Sequence, residues 1–252
     1  MKVSKYSANG NDFVIFHAKN KEDRSELAKT LCHRQNGIGA DGLIVIIPHQ
    51  MYDFEWEFYN ADGSHADMCG NGSRAAAHFA HNEINVPSKM SFLTGAGVIN
   101  AEIKDNTQNS GMVQSELTPP VILSKEIHFD NKIWWHINSG VPHLVSLEDN
   151  VDFFDIEKAR ELRHKYNANV NICCVSGENL KVRTYERGVE DETLACGTGM
   201  AACFYRALQE KKIKESVEVY PTSGETLYLG VNERTITFRG EVKRTFVTEW
   251  EI

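Results

Sequence analysis

Two cysteines stand in closely similar segments of this 252-residue chain. Cys69 lies in Met-Cys-Gly-Asn-Gly and Cys196 in Ala-Cys-Gly-Thr-Gly, and an alanine-rich run follows each segment. This pattern predicts a turn that leads into a helix. A thiol at a helix start lies near the positive end of the helix dipole, which favours the thiolate. The unpaired N–H groups of the first turn also bind anions such as a carboxylate.

The two segments are about half a chain length apart, and other pieces repeat with them. The segment around Gly10 matches the segment around Gly140, and Tyr59 and Tyr185 each precede a cysteine by a similar distance. A nearly constant offset along the chain indicates an internal duplication. We therefore expect residues 1–116 to form a half carrying Cys69, with residues 245–252 returning to it. Residues 117–244 form the half carrying Cys196, and Thr-Pro-Pro at 118–120 is the predicted linker.

Composition narrows the class of protein. Hydrophobic residues make up 41% of the chain and aromatic residues 10%, which is enough for a core in each half. A net charge of -8 argues against a nucleic-acid partner, which requires clustered Lys and Arg. Apolar runs reach only about five residues, whereas a membrane span needs roughly 20. The N-terminal residues do not resemble a signal-peptide core, so we expect a cytoplasmic protein with no membrane association.

The remaining cysteines carry no metal or disulfide pattern. Cys32, Cys173, Cys174 and Cys203 are expected to pack in the interior as free thiols. No Cys-x-x-Cys occurs, and the ten histidines do not fall at ligand spacing, so no metal site is predicted.

Short strands with β-branched or aromatic alternation outnumber the helices, which predicts an α+β protein. The two helices after the cysteines are apolar on most faces and must be surrounded. We expect two pseudo-symmetric domains, each a curved, mostly antiparallel sheet wrapped around a central helix, with the active site in the interdomain cleft. The predicted strands are 3–6, 13–16, 43–47, 55–59, 111–116, 170–175, 180–185, 216–220, 225–229 and 235–239, and the predicted helices are 22–34, 71–84, 155–166 and 199–211.

Two matched thiols suit one kind of chemistry. A cysteine hydrolase needs one nucleophile with a base, so a second identical cysteine would be superfluous. Inversion at a carbon atom does need two groups, because a base removes the proton from one face and an acid returns it to the other. The reverse reaction exchanges the two roles. The sequence therefore favours a two-base racemase or epimerase.

The chain resembles the diaminopimelate epimerase family. The resemblance rests on both cysteine motifs together with Asn-Ala-Asp-Gly at 60–63 and Glu-Arg-Gly at 186–188. Further matching segments are 10–14, 37–42, 140–143 and 169–171. The family interconverts the LL and meso forms of diaminopimelate without a cofactor, and the resemblance implies that activity, this substrate and a homodimer.

The resemblance also implies roles for individual residues. Cys69 and Cys196 are the acid–base pair, and His143 and Glu186 are catalytic residues beside the thiols. A cation at His143 would favour a thiolate, and Glu186 would oppose it. The implied substrate-binding residues are Asn11, Asn60, Gly70, Asn71, Asn169, Glu186, Arg187, Gly197 and Thr198.

Two alternatives remain at this point. One is a two-cysteine racemase of the proline racemase type, although such relatives carry His where Asn71 stands. The other is a protein of a different class, a non-catalytic amino-acid-binding or thiol-redox protein. Retention of both cysteines disfavours a silent protein, and the lack of Cys-x-x-Cys disfavours redox exchange.

Overall fold

The computed structural model describes residues 1–232 and 235–251; Glu233, Arg234 and Ile252 lie outside the described residues. The described chain forms sixteen strands and four helices. It divides into two compact units, Met1–Glu116 with Arg239–Ile252, and Leu117–Phe238. A two-domain, sheet-rich α+β fold with few helices is thereby confirmed.

Seven strands and two helices lie before the division at residue 116. They are β1 (Lys2–Ala8), β2 (Asn11–His17), α1 (Ser25–Cys32), β3 (Gly42–Ile47), β4 (Phe54–Asn60), α2 (Gly70–Ile84), β5 (Lys89–Thr94), β6 (Gly97–Asn106) and β7 (Ser110–Leu117).

Nine strands and two helices follow. They are β8 (Val121–Phe129), β9 (Lys132–Asn138), β10 (Pro142–Glu148), α3 (Ile156–Tyr166), β11 (Asn169–Ser176), β12 (Asn179–Glu186), β13 (Asp191–Thr193), α4 (Gly197–Gln209), β14 (Ser216–Tyr220), β15 (Leu227–Asn232) and β16 (Thr235–Glu249). The last strand, β16, begins in the second unit and ends in the first.

The first unit is a sheet that surrounds α2. Strands β1 to β7 follow one another in order, β16 lies next to β7, and β16 also pairs with β1. Most pairs are antiparallel, but β2–β3 and β4–β5 are parallel. Every residue of α2 from Gly70 to Ala80 is buried. Small alanines let the helix approach the strands, where it packs against the aromatic core that includes Phe13, Trp56 and Phe92.

The second unit repeats this connectivity. Parallel pairs β10–β11 and β12–β14 correspond to β2–β3 and β4–β5. Helix α4 occupies the place of α2, and nine of its residues, from Gly197 to Ala207, are buried. The repeated element order is what the duplication in the sequence indicated.

The predicted helix starts are close to the observed ones, and the errors have physical causes. Helix α1 covers only Ser25–Cys32 where residues 22–34 were predicted, because Arg24 is buried in an ion pair with Glu57 before the helix begins. Strands β5, β6, β8, β9, β10 and β13 were not predicted. Strand β8 is exposed along most of its length, so it lacks the alternation that marks a half-buried strand.

No helix in the described part of the chain has the length and apolar character needed to cross a membrane.

Removing the Phe92 ring should destabilise the sheet that holds α2. Phe92 is fully buried and stacks on Phe54 with ring centroids 4.5 Å apart. Phe92→Ala should lower the free energy of unfolding by about 3–5 kcal/mol, since a buried cavity is left behind. The matched control is Phe153→Ala, whose ring is 76% exposed and whose loss should cost less than about 0.5 kcal/mol. Denaturant unfolding of both variants measures the two changes in the free energy of unfolding. Equal changes in the two variants would contradict the structural role given to Phe92.

Candidate active site

Cys69 caps the N-terminus of the buried helix α2. Its backbone is extended, with φ -146° and ψ 117°, and its Sγ accepts a hydrogen bond from the N–H of Gly72 at 3.4 Å. A side chain at Gly72 would crowd Cβ of Cys69 and Cδ1 of Ile44, each 3.3 Å from the place of a Cβ atom. Glycine at this position therefore lets the first turn approach the sulfur. The first turn carries no acidic residue, which keeps it suited to an anion.

Cys196 occupies the same position at α4. It is also extended, with φ -124° and ψ 108°, and only 7% exposed. Its Sγ lies 3.6 Å from Oγ1 of Thr198. Gly197 is buried beneath it, and the first turn of α4 again lacks an acidic residue. Both cysteines thus have the local geometry that favours a reactive thiol at a helix start.

A chain of amides surrounds the start of α2. Arg74, fully buried, donates from Nη2 to Oδ1 of Asn71 and from Nη1 to Oδ1 of Asn9 at 2.6 Å. The amide nitrogen of Asn71 then donates to Oδ1 of Asn11 at 2.7 Å. Asn11 in turn donates to Oδ2 of Asp41 at 3.1 Å. Because a guanidinium only donates and a carboxylate only accepts, both amides between them have a fixed orientation.

Asn60 lies at the end of β4, where it pairs with Gly42 of β3. It is exposed, and its Nδ2 donates to Oγ of Ser64 at 3.0 Å. A tight turn follows it, in which the Asn60 N–H donates to the Ser64 carbonyl.

His143 lies on β10, directly beside the first turn of α4. It is fully buried, and its Nε2 lies 2.9 Å from Oγ1 of Thr198. Nδ1 lies 3.0 Å from Nδ2 of Asn171. Burial, with a smaller contribution from the nearby Arg187, lowers the pKa of His143 to about 3. His143 is therefore neutral at pH 7.

His143 therefore does not supply the positive charge that would favour a thiolate. Desolvation in the packed interior is the largest cause of the lowered pKa. The effect of His143 on a thiol must come through hydrogen bonds and not through charge.

Asn169, Glu186 and Arg187 come together at the ends of β11 and β12. Oδ1 of Asn169 accepts the Arg187 N–H at 2.8 Å, and Nη1 of Arg187 donates to the Asn167 carbonyl at 3.0 Å. Asn169 pairs with His143 in the parallel ladder. Glu186, the last residue of β12, is half-buried.

The structure thus groups the predicted residues by unit. One group lies at the start of α2 and contains Cys69, Gly70, Asn71 and Asn11. Asn60 lies at the end of β4 in the same unit. The other group lies at the start of α4 and contains Cys196, Thr198, His143, Asn169 and Arg187. Among the described residues, no group of three His, Cys, Asp or Glu side chains is placed to hold a metal ion.

Three polar residues of these clusters were missed by the sequence-based prediction: Arg74, Asn171 and Thr184. All three are buried and lie inside or beside motifs that carry the resemblance. A polar side chain at an interior position of an otherwise apolar helix or strand was the available signal, because buried polar groups require partners.

Comparison with solved structures defines the class of fold. A Bacillus anthracis phenazine biosynthesis protein of the PhzF family superposes with a TM-score of 0.73 at 16% identity, covering 100% of this chain and 99% of that one. A probable proline racemase from Agrobacterium radiobacter K84 gives 0.79 at 11% identity, covering 100% and 93%. The chain has the same fold as these proteins.

Sequence comparison is more specific. The profile described as diaminopimelate epimerase matches residues 3–123 and 135–244. A diaminopimelate epimerase of a Nitratiruptor species is 56% identical over 249 residues, covering 98% of both chains. That of Campylobacter lari is 53% identical over 251 residues, covering 99% of both, and that of Helicobacter pylori is 40% identical, covering 95% and 93%. The chain belongs to the diaminopimelate epimerase family.

The neutral state of His143 should appear in the pH dependence of stability. In the unfolded chain a histidine has a pKa of about 6.5, whereas burial lowers the pKa of folded His143 to about 3. Between these values the unfolded chain binds a proton that the folded protein does not, so stability present above pH 6.5 is lost as the pH falls.

His143→Gln should reduce this slope between pH 4 and 6 by up to one proton, about 1.4 kcal/mol per pH unit. Denaturant unfolding at several pH values measures it, with His17→Gln at an exposed position as the matched control. An unchanged slope in His143→Gln would show that His143 ionises in the folded protein.

Proposed function

We propose that this protein is a diaminopimelate epimerase that interconverts the LL and meso forms by a two-cysteine acid/base mechanism. The observation that carries the proposal is the matched placement of Cys69 and Cys196, each at the N-cap of a buried helix in a duplicated unit. One thiolate removes the α-proton of the substrate, and the other thiol delivers a proton to the opposite face. Reversal of the reaction exchanges the two roles.

The helix starts supply the second requirement of this chemistry. Removing an α-proton places negative charge on the adjacent carboxylate. The first-turn N–H groups at Gly70 and Asn71, and at Gly197 and Thr198, have no acceptor within their helices. Preorganised donors of this kind stabilise developing charge without reorganisation. We assign these four residues to the carboxylate of the reacting centre.

The far end of the substrate is assigned to Asn11, Asn60, Asn169, Glu186 and Arg187. The side-chain carbonyl of Asn169 is occupied by the Arg187 N–H, so its amide nitrogen, which also lies 3.4 Å from Nε2 of His143, is the group assigned to a substrate acceptor. A guanidinium grips a carboxylate with two parallel hydrogen bonds, and the Glu186 carboxylate suits the distal ammonium. His143 supports the second thiol as a neutral hydrogen-bonding group.

The alternatives are less well supported. A racemase of the proline racemase type shares this fold, but the 40–56% identical relatives named diaminopimelate epimerase favour the longer dicarboxylate substrate. A non-catalytic or thiol-redox protein gives no reason for two matched helix-cap cysteines. A homodimeric, cytoplasmic enzyme is part of the proposal and rests on the family resemblance alone.

Replacing either cysteine should abolish turnover without unfolding the protein. Cys69→Ser and Cys196→Ser should each lower kcat by at least about a hundredfold, because a hydroxyl is a far weaker base than a thiolate. Cys32→Ser, at a buried cysteine on α1, is the matched control. The assay follows interconversion of the isomers and deuterium uptake from D₂O.

Retention of more than about a tenth of wild-type turnover in either variant, a barrier change below about 1.4 kcal/mol, would rule out the two-base mechanism. No deuterium uptake with diaminopimelate, in an otherwise folded wild-type protein, would rule out the epimerase itself.

Arg187→Lys should cost at least about tenfold in kcat/KM for diaminopimelate although the charge is kept, since the forked contact is lost. Lysine lacks the distal carboxylate and should be a very poor substrate, because it leaves the donors assigned to that carboxylate without their partner. Arg160→Lys, on the exposed face of α3, is the control. Comparable turnover of lysine or proline, or a wild-type-like Arg187→Lys, would refute the assignment of the distal subsite.

A further inference from the structure

Asn171 is a fully buried polar residue on β11 whose role the proposed mechanism does not explain. Its amide lies between the His143 ring and the first turn of α4. A Cβ atom at Gly199 would stand 2.4 Å from Oδ1 of Asn171. The glycine therefore allows α4 to close over this amide, and the amide belongs to the packing around Cys196.

The orientation of the Asn171 amide is fixed by two partners. Nδ2 donates to the Leu144 carbonyl at 3.0 Å, and Oδ1 accepts from the Thr184 hydroxyl at 2.8 Å. A backbone carbonyl only accepts, so the nitrogen must face it. The second hydrogen of the same nitrogen points at Nδ1 of His143, 3.0 Å away.

This contact selects the tautomer of His143. In a neutral imidazole one nitrogen donates and the other accepts. Because Nδ1 faces an N–H donor, Nδ1 is the acceptor and the proton resides on Nε2. Nε2–H then donates to Oγ1 of Thr198 at 2.9 Å.

One contact opposes this tautomer. Nδ2 of Asn169 lies 3.4 Å from Nε2 of His143, and the Arg187 N–H on Oδ1 holds that nitrogen toward the ring. The opposite tautomer would bring two donors together at the 3.0 Å contact with Asn171. The shorter contact costs more when unsatisfied, so the Nε2–H form prevails.

The tautomer decides where the Thr198 hydroxyl points. With one lone pair occupied by the His143 N–H, the hydroxyl hydrogen is directed away from the ring. Sγ of Cys196 lies 3.6 Å from Oγ1, within reach of an O–H donor to sulfur. Hydrogen bonding to a thiolate stabilises the charged form.

We propose that Asn171 is a positioning residue that fixes His143 as the Nε2–H tautomer, so that the Thr198 hydroxyl donates its hydrogen to the thiolate of Cys196. The order of donors is Asn171 to His143, His143 to Thr198, and Thr198 to Cys196. The chemical meaning of this inference rests on the proposed function, whereas its central claim is a protonation state that is measured without substrate.

The first test is the tautomer itself. In protein labelled with ¹⁵N-histidine, the nitrogen–proton correlation pattern identifies which ring nitrogen carries hydrogen, and the signals of His143 are those missing from His143→Gln. We expect protonated Nε2 and bare Nδ1 at pH 7. Protonated Nδ1 in the wild type would overturn the inference, whether or not the protein epimerises diaminopimelate.

The second test reverses the donor. Asn171→Asp is nearly isosteric but only accepts, so Nδ1 of His143 should become protonated and kcat should fall at least about tenfold. Asn150→Asp carries the same charge change at an exposed position of the same unit and should keep wild-type spectra and turnover. Bare Nδ1 in folded Asn171→Asp would overturn the inference.

The third test does not depend on Asn171→Asp folding. The alkylation rate of Cys196, followed by peptide mass spectrometry across pH, reports its thiolate fraction. In Thr198→Val this rate at pH 7 should fall at least about threefold and its rise should move to higher pH, while Thr198→Ser, which keeps the hydroxyl, should restore the wild-type profile. Equal profiles in Thr198→Val and the wild type would overturn the step from Thr198 to Cys196.

Discussion

The placement of a cysteine at the N-cap of a largely buried helix constrains both units of this protein. A helix start offers N–H groups that have no acceptor within the helix, and burial in a sheet shields them from water and strengthens their field. Burial on every side requires a helix of small and apolar residues, hence the alanines of α2. The strand order follows, because the sheet must wrap the helix and leave only its N-terminus for a ligand.

The two units share this backbone plan but fix their hydrogen bonds differently. At α2, Arg74 can only donate and Asp41 can only accept, so the amides between them have one orientation whatever the pH. At α4, Thr198 stands where Asn71 stands at α2. Its hydroxyl contacts a histidine, and a neutral histidine has two tautomers. The orientation there depends on an additional residue, Asn171. Similar backbones can therefore present thiols in different hydrogen-bonding surroundings.

Sequence reasoning predicted most of what depends on local pattern. The helix starts at Cys69 and Cys196 followed from glycine and alanine spacing, and β3 followed from its apolar run. Strand β8 did not, because an exposed strand has no alternation to detect. The neutrality of His143 was also beyond reach, since it depends on burial by elements distant in sequence. The roles of Arg74 and Asn171 depend on partners that only the folded chain brings close.

The difference between the two half-sites is compatible with the proposed reaction. A racemase converts a molecule into its mirror image, so its two half-sites face equivalent demands. Interconversion of LL- and meso-diaminopimelate inverts one centre of a molecule that keeps a second, unchanged centre, so the two forms are not mirror images. Side chains beyond the reacting carbon must then recognise one fixed configuration in both forms. In the proposed mechanism, duplication supplies the matched thiols and carboxylate-binding turns, and the residues assigned to the distal end of the substrate, such as Asn60 and Arg187, supply the asymmetry that a second stereocentre requires.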